Sequence, residues 1–212
     1  MKITKQEHSC LVIEKNEKVL VIDPGSFTTP LDGIRDVVAV VITHEHADHW
    51  TAEQLQRIQE FNPDAKIFGP SGVAKAAQDF DIEVAEAGTT VIVDPFELRF
   101  FGGKHAVIHH SIPVVDNLGV LVDGELYYAG DSFTIPEGIE VGTLAAPAGA
   151  PWLKIGEVID YVTAIAPKRS FPIHEMTLSV AGKQMSNARI KVSTEAGGGT
   201  FYPLEPGESI DL

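Results

Sequence analysis

Three histidines and one aspartate fall within six residues of the chain, in the segment Thr43-His44-Glu45-His46-Ala47-Asp48-His49. Neutral imidazole nitrogens and carboxylate oxygens are ligands that suit zinc, iron or manganese. The segment follows directly on the unbroken apolar run 37–42, which is typical of a buried strand. The residue types and their position therefore predict a metal site at the end of a strand.

The spacing within this segment favours two metal ions. In an extended chain, residues two apart point to the same side, so His44 and His46 can bind one ion together. Asp48 and His49 are adjacent, and the chain must turn there if both are to face a neighbouring ion. Two ions in one pocket need further ligands and an oxygen bridge, which we expect downstream at other strand ends.

Candidates for these ligands follow strand-like runs further along the chain. Asp131 comes after such a run and after Gly130, which lets the backbone bend sharply, and a carboxylate there can bridge two cations. His174 follows the strand-like run 169–173, and the segment 104–110 supplies three more histidines. The order of the motifs indicates a composite site rather than isolated turn residues.

With these motifs in this order, the sequence resembles the metallo-β-lactamase-fold hydrolases, and above all the compact branch similar to ascorbate-6-phosphate lactonase. The resemblance extends from Val21-Ile22-Asp23-Pro24-Gly25 to His174. It implies an α/β fold, a four-layer αββα sandwich of two mixed β-sheets flanked by helices. It also implies that Asp23 braces the ligand loop. The ligands that it implies are His44, His46 and one later histidine for the first metal, Asp48, His49 and His174 for the second, and Asp131 as the bridge.

The later histidine of the first metal has two candidates. His105 and His109 lie four residues apart in a predicted strand and would face the same side, so periodicity does not separate them. The resemblance favours His105, because it directly follows Gly102-Gly103-Lys104, with His109 then lining the pocket. His8 also has two interpretations: a residue that approaches the site, as in similar proteins, or a partly buried strand histidine.

Two adjacent divalent ions predict a hydrolase. They lower the pKa of a shared water, so that a metal-bridging hydroxide can cleave an ester, a lactone or a phosphodiester of a small molecule. We expect Asp48 to orient the hydroxide, and His109 or a metal-bound water to donate a proton to the leaving group. Zinc is the default metal, and manganese or iron also suits a site with two aspartates. The alternatives are a mononuclear iron dioxygenase of the persulfide type and a metal-binding domain without catalysis.

Composition sets the wider expectations. A chain of 212 residues favours one domain over residues 1–212. The net charge of −14 disfavours extended nucleic-acid binding. One cysteine, no signal-peptide pattern and no apolar run of about 20 residues predict a cytoplasmic protein without a membrane span. A small-molecule substrate is the expected partner, and a homo-oligomer is compatible because related proteins often self-associate.

Local patterns predict the elements that must position these side chains. A capping box formed by Thr51 and Gln54 predicts a helix to about Phe61. Asp123-Gly124 predicts a type I′ hairpin turn, and an apolar stripe predicts a helix over 152–164. Ser179 is expected to cap a helix to about residue 191. Three short strands are predicted to form a meander: 82–84, 90–93 and 97–101.

Overall fold

The computed structural model describes all 212 residues, which form two seven-stranded β-sheets. The strands of the first sheet are β1 (Lys2–Lys5), β2 (Leu11–Lys15), β3 (Lys18–Ile22), β4 (Val37–Val41), β5 (Lys66–Gly69), β6 (Ile82–Val84) and β14 (Ser209–Asp211). The strands of the second sheet are β7 (Thr90–Val93), β8 (Phe96–Lys104), β9 (Asp116–Val122), β10 (Leu126–Tyr128), β11 (Thr143–Pro147), β12 (Arg169–Ile173) and β13 (Thr200–Phe201). The strand orders are β14-β1-β2-β3-β4-β5-β6 and β13-β12-β11-β10-β9-β8-β7.

Four helices cover the outer faces of the sheets. They are α1 (Ala52–Phe61), α2 (Ser71–Ala76), α3 (Ile155–Ile165) and α4 (Val180–Ala196). Apolar side chains of α1 and α2 pack on β3, β4 and β5, and those of α3 and α4 pack on the second sheet. No helix is both long and apolar enough to cross a membrane.

The largest apolar core lies between the two sheets. It is made of alternate residues of both, such as Leu20 and Val41 from the first sheet and Val120 and Phe171 from the second. Each sheet is mixed, with parallel pairing across β3 to β6 in one and across β10 to β13 in the other. The four-layer αββα sandwich that the family resemblance implies is confirmed.

This architecture brings several strand ends to one edge. Strands β8, β10 and β12 run in the same direction, because β8 and β10 are both antiparallel to β9 and β12 is parallel to its neighbours. The loop after β4 reaches the same edge, where the Leu118 N–H donates to the Thr43 carbonyl at 2.9 Å. Loops that follow four strands therefore meet in one place.

The predicted strand through His105 and His109 is wrong. Strand β8 ends at Lys104, its last pairing being with Asp116, and residues 105–115 form a loop. The backbone of this loop has other partners, because the Ala106 N–H donates to the Asp131 carbonyl at 2.8 Å. The same-face argument for the two histidines therefore does not apply.

Smaller differences concern the ends and pairings of other elements. Strand β6 joins the first sheet beside β5 and is not part of a meander. Thr51 caps α1 as predicted, but the Gln54 side chain donates to the Thr28 carbonyl at 2.9 Å instead of reaching back to the cap. Helix α3 begins at Ile155, three residues after the predicted start at Trp152, and α4 extends to Ala196.

Candidate metal centre

Each predicted metal ligand follows a strand at the shared edge. The segment from His44 to His49 comes after β4, and His105 comes directly after β8. Asp131 follows β10, and His174 follows β12. Gly130 makes the turn before Asp131 with a φ of 62°, and a Cβ there would approach Asn117 Oδ1 to 2.4 Å. Only glycine fits this position without strain.

A first cluster contains His44, His46 and His105, whose ligand atoms lie within 4.8 Å of one another. His44 Nε2 and His46 Nδ1 are 3.1 Å apart. His44 and His105 are buried, and His46 is partly exposed. The structure thus brings His105, and not His109, to the two histidines of the motif.

A second cluster forms around Asp48, His49 and His174. The Nε2 atom of His174 lies 3.5 Å from Asp48 Oδ2, and that of His49 lies 3.9 Å from the same oxygen. His49 and His174 are buried, whereas the Asp48 side chain keeps 28% exposure. This cluster therefore opens to solvent on the side of Asp48.

Asp131 lies between the two clusters. Its Oδ2 atom is 3.3 Å from His105 Nε2 and 3.2 Å from His174 Nε2. Its Oδ1 atom is 3.2 Å from His49 Nε2. One buried carboxylate thus contacts histidines of both clusters.

The donor set fits divalent metal ions. The Nε2 atoms of His105 and His174 are buried and have no partner in hydrogen-bonding geometry. Buried polar atoms without a partner are unfavourable, and a metal ion would satisfy both nitrogens through their lone pairs. Imidazole and carboxylate are also the ligands that zinc, manganese and iron accept.

The carboxylate and the imidazoles around it shift one another's pKa. Burial opposes the charge of Asp131, but His49 and His174 outweigh it and hold the pKa of Asp131 well below its usual range. Burial likewise opposes a charge on His174, yet Asp131 raises the pKa of His174 to about 9. The pKa of His49 is held well above its ordinary value, because Asp131 and Asp23 outweigh the effect of burial.

In the first cluster, burial outweighs the attraction of the nearby carboxylates, so the pKa values of the histidines are lowered instead of raised. Burial, reinforced by the neighbouring His49, holds the pKa of His44 well below its ordinary value. Burial and the adjacent His105 also lower the pKa of His46. These two rings are therefore neutral near pH 7, which is the form that binds a metal ion.

Asp23 braces the second cluster, as the family resemblance implies. Its carboxylate accepts hydrogen bonds from Thr43 N–H at 2.8 Å, His49 Nδ1 at 2.7 Å and the Tyr128 hydroxyl at 2.7 Å. Because Nδ1 of His49 donates to Asp23, Nε2 is the nitrogen that faces Asp131 and that would lose its proton to bind a metal ion. Such outer partners set the tautomer and orientation of ligating histidines.

Three positions near the centre have roles that the sequence pattern did not reveal. The Trp152 Nε1–H donates to Asp131 Oδ2 at 2.7 Å. Asn117 Oδ1 accepts from the Asp131 N–H at 2.9 Å and so fixes the backbone of that residue. A Cβ at Gly25 would come within 1.9 Å of the Asp48 carbonyl, so the Asp-Pro-Gly string was a usable signal for close approach.

His109 lies outside both clusters. Its side chain is exposed, its Nδ1 is 2.7 Å from the Ser111 hydroxyl, and its ring lies against the ring of His110 at a tilt of 45°. His8, in contrast, is fully buried beside the second cluster, with its Nε2 atom 3.2 Å from Asp48 Oδ2. Of the two interpretations of His8, the structure favours the residue that approaches the site.

Comparisons with known proteins identify a family model, a relative and solved structures that this chain is similar to. The model of a family described as beta-lactamase superfamily domain matches residues 2–174. Protein Rv0786c of Mycobacterium tuberculosis is 35% identical over 215 residues, covering 99% of this chain and 98% of that protein. Among solved structures, Igni18, a novel metallo hydrolase from Ignicoccus hospitalis, aligns with a TM-score of 0.73 at 22% identity, covering 99% of this chain and 97% of that one.

A second solved structure supports the assignment of the fold. The metallo-beta-lactamase fold protein YhfI from Bacillus subtilis aligns with a TM-score of 0.74 at 16% identity, covering 99% of both chains. At such low identity the likeness is evidence for the fold alone. The architecture of two mixed sheets flanked by helices is therefore the metallo-β-lactamase fold.

Proposed function

The chain belongs to the beta-lactamase superfamily, and we propose that it is a binuclear metal-dependent hydrolase acting on a small molecule. His44, His46 and His105 would hold one ion, and Asp48, His49 and His174 would hold the other. Asp131 would bridge the two. Zinc is the first metal to test, with manganese and iron next, because the ligands combine imidazoles with carboxylates.

One observation carries this proposal. The Oδ2 atom of Asp131 lies within 3.3 Å of a histidine nitrogen from each cluster, and neither nitrogen, on His105 or on His174, has a partner in hydrogen-bonding geometry. A carboxylate placed between two sets of free imidazole nitrogens is the arrangement that a bridging ligand needs. A purely structural ion would not require a second set of ligands beside the first.

When bound, two such ions supply a hydroxide nucleophile near neutral pH and Lewis-acid stabilisation of a substrate oxygen. Asp48 is the most exposed carboxylate of the centre, so it would meet water and substrate at the mouth of the site. Its Oδ2 atom faces His174 and His8, which leaves Oδ1 to orient an attacking water. His109 lies outside both clusters, and we keep it, beside a metal-bound water, as a candidate proton donor to the leaving group, because Ser111 pairs only with its Nδ1 atom and leaves Nε2 to donate.

The substrate class that we propose is a small ester, lactone or phosphodiester. The sequence resemblance to the branch similar to ascorbate-6-phosphate lactonase puts a lactone first among them. Phe27, Trp152 and Phe133 are near the loops of the centre, and Trp152 contacts both Asp131 and the ring of Phe133. Aromatic side chains at this edge suit a substrate with a ring or an apolar group.

The test combines metal content with turnover. The protein would be purified without chelators, and its metals would be measured before and after reconstitution with zinc or manganese. The reconstituted protein would then be assayed on 4-nitrophenyl acetate, a γ-lactone and bis(4-nitrophenyl) phosphate. We expect about two ions per chain and hydrolysis of at least one substrate that stops on chelation.

Two results would contradict the proposal in different ways. A single tightly bound iron, with oxygen consumption and no hydrolysis, would favour the mononuclear dioxygenase. Stoichiometric metal with no turnover on any ester, lactone or phosphodiester, and no open water position on the ions, would favour a metal-binding domain without catalysis.

A further inference from the structure

His8 lies outside the predicted ligand set, yet it is buried against it. It sits in the turn between β1 and β2, has no exposed surface, and has a left-handed backbone with φ of 60°. Its ring centroid lies 3.9 Å from that of His174 and 4.8 Å from that of Phe27. A side chain held this tightly can support a neighbouring group.

The backbone after His174 determines which nitrogen of His8 carries the proton. The Met176 N–H donates to His8 Nδ1 at 3.3 Å, and the His174 N–H donates to the His8 carbonyl at 2.8 Å. A ring nitrogen that accepts a hydrogen bond has no proton of its own. His8 is therefore a neutral imidazole with its proton on Nε2.

The protonated nitrogen points at Asp48. His8 Nε2 lies 3.2 Å from Asp48 Oδ2, so the ring donates to the carboxylate. In this tautomer Nε2 has no free lone pair for a metal ion, although a ring nitrogen of His8 lies within 4.8 Å of the ligand atoms of Asp48 and His174.

We infer that His8 is a positioning residue, which holds the Asp48 carboxylate in place for the second ion through an Nε2–H hydrogen bond to Oδ2. This inference rests on the proposed function, since it assumes that Asp48 binds metal. Asp48 is the one carboxylate of the centre with substantial exposure, so a donor on its buried side restricts the rotation of the carboxylate. Outer-shell donors of this kind orient ligating carboxylates.

A buried ion pair holds the turn that bears His8 against the loop that bears His174. Lys5 at the end of β1 pairs with Glu175, the residue after His174, and both side chains are buried. The turn that bears His8 and the loop that bears His174 are thus joined by an ion pair, by one backbone hydrogen bond and by the hydrogen bond from the Met176 N–H to the His8 ring. The donor is preorganised before any metal binds.

Two substitutions separate the two hydrogen bonds of the ring. In His8→Asn the amide oxygen takes the place of Nδ1, so the Met176 contact survives while the donor to Asp48 is lost. In His8→Gln the amide nitrogen takes the place of Nε2, so the donor to Asp48 survives. Asparagine also tolerates the left-handed backbone at this position. Thermal unfolding of the chelated proteins checks that both variants fold.

The measurement is zinc affinity by competition with a chromophoric chelator, resolved into two binding steps. We expect His8→Asn to weaken the second step about 10- to 100-fold and to leave the first unchanged, whereas His8→Gln stays close to wild type. Equal second-step affinities of wild type and His8→Asn would overturn the inference. Loss of the second step in both variants would also overturn it, because it would make His8 a ligand. Failure of the wild-type protein to bind two ions would instead refute the proposed function.

A direct measurement on the wild-type protein requires no variant. Long-range nitrogen–proton correlation spectra of the zinc-loaded protein, labelled at histidine, report which ring nitrogen of His8 is protonated. We expect a proton on Nε2 and none on Nδ1. The opposite tautomer would overturn the inference, even if the variants behaved as expected.

Discussion

The hydrogen bonds that orient the first cluster come from neighbours in the chain, whereas those of the second cluster come from distant segments. His44 contacts the hydroxyl of Thr43, and His105 contacts the carbonyl of Ala106, each one residue away. In the second cluster, the partner of His49 is 26 residues away and that of Asp48 is 40 residues away. The partner of His174, the Gly149 carbonyl, is 25 residues away.

This difference has a physical consequence. A site oriented by local contacts keeps part of its geometry whenever its own loop is formed. A site oriented by contacts between distant strands requires the whole sandwich, so its metal affinity is coupled to folding. We therefore expect the second ion to bind more weakly and to respond more strongly to changes outside the ligand set.

The largest effect is expected at Asp131, because this residue contacts both clusters and belongs to neither side of the comparison. Asp131→Ala removes the carboxylate that contacts His49, His105 and His174. We expect loss of the two-ion site and a fall in turnover of about 10³-fold or more, since two-metal sites supply several kcal/mol of transition-state stabilisation. Metal analysis and hydrolysis rates check this outcome.

A matched control uses a carboxylate at the same edge of the sheet. Asp116, at the start of β9, pairs with Lys104 and lies outside the ligand clusters. Asp116→Asn should keep both ions and the wild-type rate. Full activity in Asp131→Ala would refute the bridge.

In the metal-free protein, the two clusters should contribute to folding stability with opposite dependence on pH. The pKa of His174 is raised to about 9, so its contribution to stability is complete below its unfolded pKa of about 6.5. That contribution is lost as the pH rises through about 9. The pKa of His44 is lowered, so the unfolded chain binds the extra proton and stability increases as the pH rises toward about 6.5.

Urea unfolding of the chelated protein between pH 5 and pH 10 tests these signs. We expect the free energy of unfolding to fall above pH 7, by an amount on the order of 3 kcal/mol from His174. His174→Gln should remove most of this fall, and His44→Gln should instead reduce the rise between pH 5 and pH 7. A wild-type stability that does not change between pH 7 and pH 10 would contradict the assignment.

The difference between contacts with neighbours in the chain and contacts with distant segments also explains which features could be predicted from the sequence. The cluster around His44 and His46 was predictable because the spacing within one short segment, at the end of an apolar strand, carries the information. The elements themselves were mostly correct for the same reason, as at the capped helix α1 and the Asp123-Gly124 turn. Both of these depend on neighbouring residues alone.

What could not be predicted depends on distant contacts. The choice of His105 over His109 came from family resemblance, and the strand argument that could not separate them was itself wrong. The contacts of Trp152 and Asn117 with Asp131 join residues 21 and 14 positions apart. No periodicity or turn signal encodes such pairs, because they form only when the second sheet is complete.

Asp23→Asn has the smallest expected effect, and it tests whether the second cluster alone depends on a distant hydrogen-bond partner. His49 now donates through Nδ1 to the Asp23 carboxylate, so its Nε2 is free to bind metal. The amide of asparagine can keep an oxygen for the Thr43 N–H only by presenting its NH₂ group toward His49. The imidazole would then accept at Nδ1 and carry its proton on Nε2, the wrong tautomer for a ligand.

We expect this variant to bind the second ion about 10- to 100-fold more weakly, while the ion on His44, His46 and His105 is retained. Tyr128→Phe is the matched control, because it removes a hydrogen bond to Asp23 Oδ2, the oxygen that also accepts from His49, without changing the tautomer of His49. It should cost about 1 kcal/mol of stability and leave both zinc-binding steps intact. If Asp23→Asn weakened both steps equally, the clusters would be one cooperative unit, and the contrast between a locally and a distantly supported ion would not hold.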